Sequence, residues 1–178
     1  GPMVAYSGSG GAAAAAPLPP PPPPPPPKIL ISEVQIVSAL GSDDDFIELY
    51  NPAAESVDIS DFQLQKKSST GSEYSIRVFP EGSSIPPQGY FLWLNSDYAS
   101  NSQIIADATS SQNLAENNSI VLLDKDKNVI DALAWGSSTD PFVETTPFSQ
   151  NPEANQSLAR KWSTTTENYL DTDNNQED

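Results

Sequence analysis

Residues 46–51, FIELYN, alternate strictly: Ile47 and Leu49 fall on one side, and Phe46, Glu48 and Tyr50 on the other. Period-two alternation in a short β-branched and aromatic run predicts a strand with one face in a core. Residues 29–36 predict a strand just before it, joined through an acidic turn over residues 38–45. Asn51-Pro52 ends the second strand, because proline has no amide to give a ladder. Val57 and Ile59 share one parity while Phe62 and Leu64 share the other, so a bend at Asp61 splits residues 57–65 into two short pieces. A turn at residues 68–71 leads to a strand over residues 73–79, with Tyr74, Ile76 and Val78 on one face. Pro86-Pro87 and Gly89 lead into residues 90–95, YFLWLN, apolar on both faces and so a central strand.

The next stretch, residues 96–118, is polar and irregular, with Ile104 and Ile105 expected to dock it locally. Residues 120–124 and 129–135, around a turn at 125–128, read as a hairpin. A polar loop over residues 137–153 precedes a last strand at 157–162 and an acidic loop at 163–178. Nowhere does a helical period persist beyond two turns. Short strands at this spacing, punctuated by Gly and Pro, predict an all-β sandwich.

The first 27 residues cannot join this core. Gly1-Pro2-Met3 has the form of a cleaved tag ahead of a start methionine, and residues 1–18 read as that remnant plus a flexible Gly/Ser/Ala linker. Residues 19–27 are nine consecutive prolines. A fixed φ and missing amides make residues 19–28 a polyproline II rod, about 28 Å long at ~3.1 Å per residue. Such a rod is a spacer, or a ligand for an aromatic groove on another protein or a neighbouring copy. Pro19, Pro23 and Pro27 are the candidate contacts on the rod, and Trp93 and Trp135 the candidate groove. Residues 29–178 form one domain.

Charge and composition narrow the chemistry. All 24 Asp and Glu lie in that domain, as do all the Lys and Arg but Lys28 just before it, and the chain carries a net charge of −16. Such a field repels phosphate backbones, so no nucleic-acid partner is expected. Cysteine and histidine are both absent, which removes disulfides, thiolate ligands, imidazole bases and Ser-His or Cys-His nucleophiles. No apolar run has the length of a bilayer span, so membrane insertion is not expected.

The acids offer a cation site at two places. Asp43, Asp44 and Asp45, with Glu48, can gather oxygens around calcium, or simply form a solvated loop. Asp171, Asp173 and Asn175 have the spacing that starts a calcium loop, but Gln176 replaces the turn glycine and no closing glutamate follows. They form a partial site at best, to be completed by ligands elsewhere in the fold. The same spacing at Asp124, Asp126 and Asn128 reads as hairpin-turn chemistry. Glu33 and Glu48, on adjacent strands, have the form of a glycosidase pair but read better as acceptors fixing strand register. No catalytic residue is assigned. Arg160-Lys161 balances nearby acids, and Trp93, Trp135 and Trp162 read as core anchors.

In this order the motifs resemble the lamin-tail domain, an immunoglobulin-like module. They are Ile31-Ser32-Glu33-Val34, residues 45–52 (DFIELYNP), Val57-Asp58-Ile59-Ser60 with Phe62 and Leu64, Ile85-Pro86, Gly89-Tyr90 and residues 119–122 (SIVL). Val129-Ile130-Asp131, Trp135-Gly136, Ser157-Leu158-Ala159-Arg160 and residues 171–175 (DTDNN) complete the set. Phe62 stands where the family usually has Trp, and similar bacterial sequences run on past residue 178. The pattern resembles the bacterial, exported branch, whose domains are appended to surface or secreted proteins. In nuclear lamins the domain is a docking surface beside a coiled-coil rod, and this chain has no heptads for such a rod. The resemblance therefore implies an immunoglobulin-like β-sandwich, here preceded by the polyproline II segment read from the proline run. It also implies a non-catalytic module, extracellular or at the cell surface, that binds a protein partner, and the proline stalk adds the expectation of self-association through it. A calcium-binding adhesin domain and an accessory domain of a secreted hydrolase are the alternatives.

Overall fold

A computed structural model describes residues 1–5, 7–23, 27–36 and 43–178. Residues 38–42 of the turn expected over residues 38–45, and residues 24–26 of the proline run, lie outside the described residues. The strands are β1 (Leu30–Gln35), β2 (Phe46–Tyr50), β3 (Val57–Asp58), β4 (Gln63–Lys67), β5 (Glu73–Val78), β6 (Ser84–Ile85) and β7 (Tyr90–Asn95). A short helix, α1 (Ser96–Asn101), separates these from β8 (Ala108–Ser110), β9 (Ser119–Leu123), β10 (Val129–Ala134), β11 (Ser157–Ala159), β12 (Trp162–Ser163) and β13 (Asn168–Tyr169).

One sheet has the order β11-β1-β2-β7-β8 and the other β10-β9-β4-β5, with β3-β6 and β12-β13 as small ribbons. The first sheet contributes Val34, Ile47, Leu49, Phe91 and Trp93 to a shared core, and the second contributes Leu64, Ile76, Ile120, Leu122 and Ile130. This is the expected β-sandwich. The alternation in β2 holds: Ile47 and Leu49 are fully buried in the core while Glu48 is not. The bend at Asp61 is also present, with Asp61 at φ 61° and the Phe62 amide turned back onto the Ile59 carbonyl at 3.1 Å. Phe62 is buried in the core, so the smaller ring is accommodated.

Three expectations need correction. Ile104 and Ile105 are exposed, 43% and 89%, and dock nothing. In β5 Ile76 is buried, but Tyr74 and Val78 on its face are about half exposed, as β5 is the edge of its sheet. The polar stretch after β7 holds a strand: β8 pairs parallel to β7, setting Trp93 beside Ala108. Its short polar sequence carries no alternation, and it is the neighbouring edge that selects it.

Candidate functional site

The structure gathers charge where two bulges meet. β1 shifts register between Ile31 and Glu33 against β2, and β10 shifts between Val129 and Asp131 against β9. The Ile31 amide, freed from the ladder, donates to Asp131 Oδ2 at 2.7 Å. Arg160, just past β11, donates to the same oxygen at 2.9 Å, and both side chains are almost wholly buried. Its remaining N–H groups reach the Ile31 carbonyl (3.0 Å), the Leu170 carbonyl (2.9 Å) and Asp178 Oδ2 (3.2 Å). One guanidinium therefore binds β1, β10 and the C-terminal segment together, a fork an ammonium cannot copy. Arg160 balances acids, as expected.

Glu144 and Asp171 complete the cluster: one carboxylate oxygen from each of Asp131, Glu144 and Asp171 lies within 4.8 Å of the others. Burial pushes the Glu144 carboxyl up to about 9, reinforced by the facing Asp131. Burial likewise raises Asp131, against the opposing pull of Glu144's hydrogen bond and Arg160's charge. Lys28, at the base of the proline run, pairs with Asp171 and stays protonated above its usual range because of that bond.

The residues assigned to calcium from sequence are thus dispersed. Asp171 is in the cluster. Asp173 is exposed, 3.8 Å from Lys28. Asn175 is no ligand: its Oδ1 accepts from the Ala134 amide (3.1 Å) and the Glu144 amide (3.2 Å), and its Nδ2 donates to the Ala132 carbonyl (2.9 Å). It pins the C-terminal segment to β10. Asp43 and Asp44 remain partly exposed, whereas Asp45 turns inward, fully buried, and accepts from the Leu114 amide. The three cannot close on one ion, because the last carboxylate faces the interior; burial raises it to about 7. Asp124 is a turn acceptor, holding the Asp126 and Asn128 amides at 2.9 and 2.8 Å.

Glu33 and Glu48 do pair across β1 and β2, but each is occupied by a serine: Ser157 donates to Glu33, and Ser32 to Glu48 at 2.8 Å. They fix register. Asp131 and Glu144 were missed in the sequence. The available signal was a lone acid inside the apolar run VIDALA, where a buried charge demands a partner.

Trp93 and Trp135 cannot form the groove. Both are fully buried, and their indole N–H groups are satisfied inside, by Ser110 Oγ (3.1 Å) and the Ala115 carbonyl (2.9 Å). Trp162, expected in the core, is instead 47% exposed, because β12 pairs only with β13 outside the two sheets. It belongs to a surface aromatic group. Tyr169 packs edge-on against Trp162 at 5.0 Å and against Tyr50 at 4.9 Å, and Tyr50 sits 5.0 Å from Tyr90. Tyr90 is 46% exposed, and its hydroxyl bonds that of Tyr169 at 2.7 Å. Tyr50, Gln88, Trp162, Thr164 and Glu167 line a recess of about 380 Å³ there. The outward parity of Tyr50 was legible; the meeting of rings more than a hundred residues apart was not.

Pro19 and Pro23 are exposed and Pro27 is partly covered. Pro23 and Pro27 border an acidic recess of about 740 Å³ with Asp58, Asp61, Phe62, Glu81, Asp124 and Asp126, and neither Trp93 nor Trp135 lines it. A smaller apolar hollow of about 240 Å³ lies beside Arg160, walled by Ile31, Leu133, Phe148 and Leu158. No helix of the described residues is long and apolar enough to cross a membrane.

No curated protein matches this chain. A family model described as Lamin Tail Domain matches residues 22–137, more than half of the sequence, and stops before β11, Arg160 and Asp171.

Proposed function

The chain belongs to the lamin tail domain family, whose immunoglobulin-like domains are generally non-catalytic protein-interaction modules, and from that premise we propose a docking role for its aromatic face. The module is not an enzyme, and it is carried by an exported or cell-surface protein. Its proline run presents it at a distance from whatever precedes, and copies associate when the run of one lies across the aromatic face of another.

The observation that carries this reading is the ring group of exposed Tyr90 and Trp162 with half-buried Tyr169, over buried Tyr50. Edge-to-face rings leave slots between them rather than one flat platform, and slots of this kind take proline rings. The Trp162 indole N–H makes no hydrogen bond among the described residues, so it is available to a proline carbonyl. Proline runs supply such carbonyls without competing amides. Head-to-tail contacts of this type do not close on themselves and build fibres. Nothing in the acidic surface favours a nucleic-acid partner.

Light scattering on the full chain tests the reading. Deleting residues 19–27, or changing Trp162→Ala, should shift the mass distribution to the monomer while the sandwich stays folded. An unchanged distribution in both variants would remove the proline run and the aromatic face from any role in association.

A further inference from the structure

The charged clamp leaves two buried oxygens without a hydrogen bond. Asp131 Oδ2 is filled by the Ile31 amide and Arg160, yet Asp131 Oδ1 has only the Glu144 carboxyl beside it and, with both groups ionised, no donor among the described residues, although the side chain is 0% exposed. Asp171 Oδ1 is buried too, with only the Arg160 guanidinium 3.7 Å away. An unpaired buried carboxylate oxygen is costly, and something ordinarily fills the space it faces. Glu144 brings a third carboxylate to the same place, within 4.8 Å of the other two. Ligands about 2.3–2.6 Å from a single calcium ion lie within about 5 Å of one another, so the spacing suits one shared hard cation.

Charge gives the valence. Asp131, Glu144, Asp171 and Asp178 surround Arg160 and Lys28, and the exposed Asp173 also pairs with Lys28, so carboxylates outnumber cations by at least two. One proton between Glu144 and Asp131 would satisfy Asp131 Oδ1 but leave Asp171 Oδ1 bare and one charge uncompensated. A divalent ion answers both. The frame is already built: the Glu144 carbonyl accepts from the Asn175 amide at 3.0 Å, and Thr145, at φ 55°, donates its hydroxyl to the Asp173 carbonyl at 2.7 Å.

We propose that Asp131, Glu144 and Asp171 hold a divalent oxygen-seeking cation, calcium by size, which fastens the C-terminal segment to β10. Water and backbone carbonyls complete its shell, since calcium takes six to eight oxygens. Magnesium fits less well, because it demands a tighter octahedron and keeps its own waters. The site is separate from the aromatic face, so its failure would leave the docking role untouched, and the reverse.

The test is calorimetry on the full chain after chelation. Titration with calcium should show one ion bound per chain, with magnesium at least tenfold weaker, and calcium should raise the melting temperature. A ligand that binds only the native state must do so. Glu144→Gln keeps the shape of the clamp and should fold, but lose the calcium-dependent rise; Asp171→Asn should weaken binding at least tenfold. No bound ion in the wild-type titration overturns the proposal and leaves the shared proton as the occupant. A calcium-dependent rise that survives in both variants overturns it as well, since the ion would then sit elsewhere.

Discussion

Asp45 shows how one residue's placement sets a solution property. Its neighbours Asp43 and Asp44 are partly solvated, but Asp45 opens β2 and its side chain is drawn inward to cap the Leu114 amide. Burial is the main cause of its raised pKa of about 7, and the Leu114 bond only partly offsets it. The folded state therefore holds this proton more tightly than the unfolded chain does. Stability from this group is then greatest in acid and declines as pH rises from about 4 through about 7, by roughly 1–3 kcal/mol. Urea melts across that window should show the decline in the wild type and a shallower one in Asp45→Asn, whose side-chain oxygen can still accept from Leu114. Parallel curves for the two proteins would mean that Asp45 is ionised throughout.

Among elements, the C-terminal segment depends most on a single group. Residues 171–178 have no strand of their own and are held by Arg160, by Asn175 and by Lys161, whose ammonium donates to the Glu177 carbonyl at 2.7 Å. Removing Arg160 would strip a buried Asp131 of its counter-charge, and breaking a buried pair typically costs about 3–5 kcal/mol. Arg160→Ala should lower stability by that order in chemical denaturation, and Arg160→Lys should recover little of it. A loss within about 0.5 kcal/mol, the size of an ordinary surface change, would show that the clamp is incidental. The turn after β10 depends on glycine instead. Gly136 has φ +67°, and a β-carbon there would stand 2.2 Å from Asn117 Oδ1 and 2.5 Å from Asn151 Oδ1. That explains the Trp135-Gly136 pair physically: the indole fills the core and the next residue must have no side chain.

At the scale of the whole molecule, charge governs association. With a net charge of −16, copies repel one another at low ionic strength, and salt screens that repulsion. If the proline run and aromatic face hold copies together, the contact is apolar and should survive screening. Average mass in light scattering should therefore rise between about 20 mM and 300 mM salt, where the Debye length falls well below the size of the domain. A mass that falls with salt would mean that association is driven by opposite charges, for which Lys28 and the acidic recess beside Pro23 and Pro27 are the local candidates.

Most of the long strands and their inward faces were determined by the sequence itself, β8 and the ends of β5 excepted. Ile47 with Leu49, and Ile120 with Leu122, are spaced for one-sided burial, and the parity switch at Asp61 and the turn chemistry of Asp124 act over a few residues. Local sterics and period-two geometry suffice for these. Which aromatic rings face solvent, and which acids converge, depended on contacts between residues far apart in the chain. Trp93 and Trp162 are the same residue type, yet one is sealed between sheets and the other stands outside them on a two-stranded ribbon. Asp131, Glu144, Asp171 and Arg160 come from a strand, two loops and the end of another strand. Only the closing of one sheet over the other, with a bulge in β1 facing a bulge in β10, brings those charges into a single buried place.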